Sequence, residues 1–400
     1  MDSREGGRAA RHGAGLACGR GGAGRPRSRV GAGTGADALA PGSEAGEERA
    51  ALLAWYDTNR RDLPWRRTRD PYAIWISEAM LQQTRVETVI PYWQRFLARF
   101  PDVASLASAE LDEVYGLWAG LGYYSRAKNL SRAAKTVVER FAGELPRETE
   151  ALRSLPGIGR YTAGALASIA FDRPEPVVDG NVERVLARRL GMRDDVKRPE
   201  AARRIWEEAA RLARGRRPGD LNQALMELGA TVCTPRVPRC DACPWRSACS
   251  ARASGDAEAI PFRAPRAVVP RVHAVAALVR RAGRALLVQR PAGSLLGGLW
   301  ELPGGAIGRA EKPADALTAR VRERTGLGIT DLAPAGVVSH AFTHRSLRLH
   351  LFAASAQRGR VRTSGDDRHR WVSERELAAL QTSTLTRKAV RMLLAATGER

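Results

Sequence analysis

Four cysteines stand within seventeen residues, in the pattern Cys233-x6-Cys240-x2-Cys243-x5-Cys249. Thiols so close together suit a metal site far better than a disulfide framework, and Cys18 lies more than two hundred residues away. Structural zinc usually takes two separated Cys-x2-Cys knuckles, whereas here one knuckle has a single cysteine on each side. Four thiolates also suit a cubane iron–sulfur cluster. The spacing leans to the cluster and leaves zinc open. Two carboxylates are the next candidates. Glu78 interrupts the apolar string Trp75-Ile-Ser-Glu78-Ala-Met80. Buried there, it would keep its proton near neutral pH and could serve as an acid; on the surface it would be an ordinary carboxylate. Asp179 follows Val177-Val178 and precedes Gly180-Asn181. It can cap the next helix, expected over 181–190, and can face a site as well.

The elements that must carry these groups follow from periodicity and punctuation. Residues 1–45 are Gly, Ala, Arg and Ser with almost no large apolar side chains, which predicts a disordered basic tail. From 46 to 250 the apolar spacing is helical, broken at Pro64, Pro71, Pro101, Gly120, Pro146, Pro156 and Pro174, and no strand alternation is visible. Leu155-Pro-Gly157-Ile-Gly159 forms a turn into a helix beginning near Arg160. Its glycines permit backbone angles that a side chain forbids, and the N–H groups at the helix start can hold a phosphate. Such turns are also common as plain connectors. Residues 251–270, with Pro261, Pro265 and Pro270, read as a linker. Beyond it the pattern alternates: strands are expected at 273–279, 285–289, 336–340 and 345–353, and a helix at 315–325. The fold class is therefore an all-α domain followed by an α+β domain.

Lys plus Arg exceed Asp plus Glu by 65 to 43, a net charge of +22. That surplus favours a polyanionic partner through counterion release, although a solvated Arg-rich surface would give the same number. A cysteine content concentrated in one cluster points to a reducing compartment, the cytoplasm. No apolar run is long enough to span a membrane.

Several strings resemble the helix–hairpin–helix DNA glycosylase superfamily, and within it the adenine DNA glycosylases of the MutY type. They are Leu63-Pro-Trp-Arg66, Trp75-Ile-Ser-Glu78-Ala-Met-Leu-Gln82-Gln83-Thr84, Gly120-Leu121-Gly-Tyr123-Tyr-Ser-Arg126, the Gly157–Gly159 turn with Asp179, and Asn222-Gln223-Ala-Leu-Met-Glu227-Leu-Gly229. The cysteine spacing is similar to the cluster loop of endonuclease III and MutY, which implies a [4Fe-4S] cluster on Cys233, Cys240, Cys243 and Cys249. The resemblance implies that Glu78 protonates N7 of a flipped adenine and that Asp179 stabilises the oxocarbenium-like sugar. Tyr161 would lie beside that centre and Asn181 would support it. Arg66 and Gln223 would contact the adenine. Gln83, Leu121 and Tyr123 would wedge into the duplex, with Gly157 and Gly159 at the DNA backbone. Arg236, Arg239 and Arg246 would face phosphates. Bifunctional relatives carry a lysine after Gly-x-Gly-Arg, where this chain has Tyr161; a phenol forms no Schiff base, so simple hydrolysis is expected. The implied partner is duplex DNA with adenine opposite 8-oxoguanine or guanine, bound by a monomer beside the nucleoid of a bacterium.

Gly298-Leu-Trp-Glu-Leu-Pro-Gly304-Gly305, with Glu311 and Glu323-Arg-Thr-Gly326, resembles a Nudix box. Two carboxylate positions of a working box are occupied by Arg320 and Arg324, which should repel a divalent cation. Nucleotide hydrolysis is thus disfavoured. The match is instead to the Nudix-like C-terminal domain of the MutY type, expected over 271–400, in which Phe342, Thr343 and His344 would read 8-oxoguanine. The family often has serine where Thr343 stands.

Overall fold

The computed structural model of the chain describes residues 44–262, 264, 269–291, 297–308, 310–342, 345–363, 368–380 and 382–396. The tail expected over 1–45 lies outside the described residues, apart from the start of a helix at Glu44. From Glu44–Asn59 to Ser250–Ala253 the described elements are helices, with one isolated bridge between Asp195 and Phe262. Their apolar side chains sort into two clusters. One is built on Ile74, Trp75, Met80, Phe96, Trp118 and Leu130, the other on Leu52, Tyr56, Val185, Leu212 and Leu228. Met226 packs against both. The seam between the clusters is where the polar candidates gather.

The helix Pro71–Leu81 starts where Asp70 accepts the N–H groups of Tyr72 (3.0 Å) and Ala73 (3.2 Å), with proline at its first position. Every residue from Tyr72 to Met80 is buried, Glu78 included. An element apolar on all sides must lie inside the domain. Gly157 has φ +79°, and a Cβ there would stand 2.6 Å from Cβ of Asn129, so the turn into the helix Arg160–Ile169 requires glycine. Gly159 corrects the expectation: its backbone is extended (φ −86°) and a Cβ would meet nothing. The stretch expected as a linker from 251 also begins as part of the helical domain. Ala251 and Ile260 are buried in the second cluster, and the Ile260 carbonyl accepts Nε of Arg188 at 2.8 Å.

The second half of the chain is one mixed sheet. Its strands are β1 (Arg271–Arg281), β2 (Arg284–Gln289), β3 (Trp300–Glu301), β4 (Gly304–Ile307), β5 (Ile329–Ala341), β6 (Ser346–Ala356) and β7 (His369–Val372). The order is β3-β2-β1-β6-β5, with β4 beside β1 and β7 beside β2; β1 and β6 run parallel and the other pairs antiparallel. Alternation along β1 sends Val275, Ala277 and Val279 to the helix Pro313–Thr325, and Ala276 and Leu278 to the helix Thr384–Ala396. Each face thus buries a helix, and Leu377 of the short helix Glu374–Ala379 joins the second. The short strands β3, β4 and β7 and the helices Glu374–Ala379 and Thr384–Ala396 were not evident from the pattern. Leu299 leaves this domain to join the first helical cluster, where Tyr115 Oη donates to the Gly297 carbonyl (3.3 Å) and Tyr124 Oη to that of Thr382 (3.3 Å).

Candidate active site

A cavity of about 860 Å³ opens at the seam of the two helical clusters. Glu78, Tyr161, Asp179, Asn181, Arg66 and Gln223 all line it, as do Gln83, Gly157 and Gly159. Residues more than a hundred positions apart are therefore brought to one place by four helices: Pro71–Leu81, Arg160–Ile169, Gly180–Arg189 and Pro218–Thr231. The last of these approaches so closely that a Cβ on Gly229 would stand 2.6 Å from Cβ of Asn181.

Glu78 is 5% exposed. Among the described residues its side chain has one hydrogen-bond partner, the Tyr161 hydroxyl, which donates to Oε2 at 2.8 Å and also lies 3.4 Å from Sδ of Met226. Burial pushes the Glu78 carboxyl up to about 7, against the Tyr161 hydrogen bond, and the nearby Asp179 adds to the rise. Burial likewise raises Asp179, offset by three donors: N–H of Val182 (2.7 Å), N–H of Asn181 (2.9 Å) and Nδ2 of Asn181 (2.8 Å). Asp179 is thus the cap of the helix Gly180–Arg189 and a wall of the cavity at once. Tyr161 is driven well above its ordinary value by burial and by both carboxylates, so it is a neutral donor.

Three supporting residues were given no role in the sequence reading. Glu227, with no exposed side chain, accepts Nε (2.8 Å) and NH2 (3.0 Å) of Arg61 and NH2 of Arg66 (2.8 Å). Burial pushes it up, but those guanidinium groups outweigh burial and hold it at about 2. The signal was present: Glu227 lies four residues after Gln223, on the same helix face. Arg184 donates to Oδ1 of Asn181 (2.9 Å) and to the carbonyls of Gly229 (2.7 Å) and Cys233 (2.7 Å), joining the site to the cysteine loop. It stands three residues after Asn181, again one face. Arg126 is 9% exposed. Its guanidinium donates to the carbonyls of Ala79, Met80 and Gln82 and to those of Leu121 and Gly122. No local pattern announces that bridge.

Arg126 thereby ties together the two loops expected to wedge into DNA. Gln83 and Tyr123 sit at their tips, both exposed and both in the left-handed region, with φ of 58° and 48°. Such backbone strain in residues other than glycine persists only where the surroundings hold it. Leu121 does not fit the wedge expectation. It is buried in the first cluster because its apolar side chain anchors the loop from below, leaving Tyr123, 45% exposed, as the outward ring.

Cys233, Cys240, Cys243 and Cys249 line a common cavity with Arg188 and the buried Trp245. NH1 of Arg188 lies 3.3 Å from Sγ of Cys233 and donates to the Thr234 carbonyl at 2.7 Å. Among the described residues no group of three or more His, Cys, Asp or Glu is placed to hold a single metal ion. The four thiols are the residues that could hold a larger group. Arg236, Arg239 and Arg246 are exposed on the loop around them.

In the C-terminal domain the arginines expected at box carboxylate positions are engaged. Arg320 lies 3.4 Å from both Glu311 and Glu323, and Arg324 pairs with Glu301, which also takes Arg290 at 2.7 Å. Phe342 closes the turn between β5 and β6, its N–H donating to the Arg345 carbonyl (2.8 Å), with His340 edge-on at 4.6 Å. Thr343 and His344 lie outside the described residues.

Residues 76–211 match the model of the HhH-GPD superfamily base excision DNA repair protein, and residues 274–392 that of the NUDIX domain. The chain is 39% identical over 400 residues to the adenine DNA glycosylase of Homo sapiens, covering 86% of this chain and 73% of that one. To the adenine DNA glycosylase of Mus musculus it is 38% identical over 398 residues, covering 86% and 77%. To that of Schizosaccharomyces pombe it is 33% identical over 397 residues, covering 82% and 85%. Coverage of this extent takes in both domains.

Proposed function

The chain belongs to the adenine DNA glycosylase family, enzymes of base excision repair that hydrolyse an N-glycosyl bond, and from that premise we propose that it removes adenine opposite 8-oxoguanine or guanine in duplex DNA as a monofunctional hydrolase. The observation that carries the reading is Glu78, buried, hydrogen-bonded to Tyr161 and with its carboxyl raised to about 7 beside Asp179. In this reading the adenine is flipped out of the stack into the cavity. Glu78 gives its proton to N7, the bond from N9 to the sugar breaks, and the electron pair leaves with the base. Asp179, ionised, faces the positive charge on the sugar. Water then adds its hydroxide to C1′ and its proton returns to Glu78. Tyr161 and Asn181 hold the two carboxylates in place; Arg66, fixed by Glu227, and Gln223 contact the base. No lysine stands at position 161, so the strand is left uncut at an abasic site.

Gln83 and Tyr123 fill the gap in the duplex, and Gly157 and Gly159 let the DNA backbone approach the start of the helix Arg160–Ile169. The helical domain at 46–250 does the chemistry, while the domain at 271–400 reads 8-oxoguanine through Phe342, Thr343 and His344, threonine supplying the hydroxyl that serine gives elsewhere. A [4Fe-4S] cluster suits the four thiols, which line one cavity and match in number the four thiolates that hold such a cluster. When bound, it would pin the loop that presents Arg236, Arg239 and Arg246 to phosphates. The enzyme acts as a monomer, and among the described residues no helix is long and apolar enough to cross a membrane.

The test is single-turnover cleavage of duplexes with adenine opposite 8-oxoguanine, guanine or thymine, with and without alkali. Breaks that need alkali, at adenine opposite 8-oxoguanine and not thymine, are expected. Breaks without alkali would mean a lyase and would overturn the reading of Tyr161.

A further inference from the structure

The helical and C-terminal domains meet at two tyrosines. Tyr115 and Tyr124 are buried in the first helical cluster, and their rings meet edge to face at 5.5 Å. Each hydroxyl donates across the seam to a backbone carbonyl, Tyr115 to Gly297 and Tyr124 to Thr382, both at 3.3 Å. Leu299 joins the cluster that holds both rings. The two accepting segments are themselves joined, since Trp300 and Thr382 pair in a parallel bridge. Phenylalanine would fill nearly the same space as tyrosine, so packing does not explain the hydroxyls. A buried hydroxyl is costly unless bonded, and docking of the other domain supplies the acceptor for each.

Each side of the seam leads to an element expected at the DNA. Tyr124 opens the helix Tyr124–Phe141 and directly follows Tyr123, the exposed ring held at φ 48°. The helical domain fixes carbonyls of that loop, Ala119 through Tyr92 (2.9 Å) and Gly122 through Trp118 (3.0 Å) and Arg126. The residue after the tip is tied to the other domain. There Ser383 follows Thr382 and accepts the N–H of Thr386 at 3.1 Å, starting the helix Thr384–Ala396. Val390 and Leu393 of that helix share an apolar cluster with Val338 of β5. Met392 approaches β5 so closely that a Cβ on Gly336 would stand 2.8 Å from its Sδ. β5 ends at Ala341, and Phe342 follows. A continuous run of packed and bonded residues thus joins Phe342 to Tyr123.

We propose that Tyr124 is a positioning residue for discrimination of the opposite base: its bond to Thr382 couples the turn at Phe342 to the insertion of Tyr123. The inference rests on the reading that Phe342 meets 8-oxoguanine and that Tyr123 enters the duplex. Contacts of the turn with the oxidised base then hold the Tyr123 ring in the gap through the seam, which favours excision opposite 8-oxoguanine. Opposite guanine the turn has less to grip, and the seam transmits little. Coupling of this kind needs two sites that bias one connected element, and the seam connects them.

The experiment measures single-turnover excision of adenine opposite 8-oxoguanine and opposite guanine by the full chain, for wild type, Tyr124→Phe, Phe342→Ala and the double variant. Taking the ratio of the two rates on one sample cancels any loss of folded protein. Tyr124→Phe should lower the rate opposite 8-oxoguanine by about three- to tenfold, the worth of one buried neutral hydrogen bond, and leave the rate opposite guanine within about twofold. In the Phe342→Ala background the same change should leave the ratio unmoved, because the coupling is already cut. Tyr115→Phe breaks the companion bond and should shift the ratio the same way. A ratio unchanged in both tyrosine variants overturns the proposal. An equal fall on both substrates overturns it too, since that is what a merely structural role gives, as does a shift of full size in the double variant. A wild-type protein with no preference between the two substrates would instead sink the reading of the Phe342 turn beneath it.

Discussion

Glu78 in the helical domain and Glu301 in the C-terminal domain are both withdrawn from solvent, yet their surroundings differ in kind. Glu78 faces a neutral phenol and another carboxylate. Glu301 is clamped by Arg290 and Arg324, and its neighbours Glu311 and Glu323 share Arg320. Glu227, within the helical domain, is paired like Glu301: two arginines hold it ionised at about 2. Burial alone therefore does not make a carboxylate reactive. Burial without a bonded guanidinium raises its proton affinity toward neutral pH, where it can give the proton away, and for Glu78 the nearby Arg66, bonded to Glu227, offsets this only in part; burial against bonded guanidinium makes it a strut. The two domains hold similar groups, and it is their partners that differ.

The sharpest way to break this contrast is Glu78→Gln. An amide cannot donate the proton, so single-turnover excision should fall by roughly 10³-fold or more, with mismatch binding kept. A rate within tenfold of wild type would remove Glu78 as the acid. Asp179→Asn comes next. Asparagine caps a helix nearly as well as aspartate, so a role in capping alone predicts no change. A role facing positive charge predicts a loss of roughly 10²- to 10³-fold.

The pH profile of the wild type should show the same carboxylates. The acid must be protonated, so the rate should fall about tenfold per unit once pH rises past the Glu78 value of about 7. On the acid side it should fall as Asp179, raised by burial, takes up a proton. A flat profile from pH 6 to 9 would contradict the Glu78 assignment. The smallest effect concerns the C-terminal domain. Wild type should show no magnesium-dependent hydrolysis of nucleoside triphosphates. Arg320→Glu combined with Arg324→Glu should gain weak magnesium binding by calorimetry, because the charge that repels the ion is reversed. Hydrolysis by the wild type would erase the distinction between the domains.

The residues of the site were legible because their types are unusual for their positions. A glutamate in an apolar helix, an aspartate before a glycine and a helix, and closely spaced cysteines each depart from what packing alone would choose. The helices of the first domain were legible from apolar periodicity, and β1, β2, β5 and β6 from alternation. The strands β3 and β4 were not, since two to four residues carry too little pattern and these include Gly304 and Gly305. Leu121 misled for a related reason: sequence gives a loop residue's character but not the direction of its side chain.

By itself the sequence determined which groups could act: the carboxylates, the thiols, the phenol where a lysine could have stood, and the arginines that occupy the carboxylate positions of the Nudix-like box. Those are properties of covalent structure and of local spacing. Only the tertiary structure decided what surrounds each group. It placed Tyr161 on Glu78 across 83 positions, Arg126 between two loops about forty positions apart, and Arg61 and Arg66 on Glu227. Proton affinity depends on burial and on charges within a few ångströms, and those distances are set by packing between helices remote in the chain.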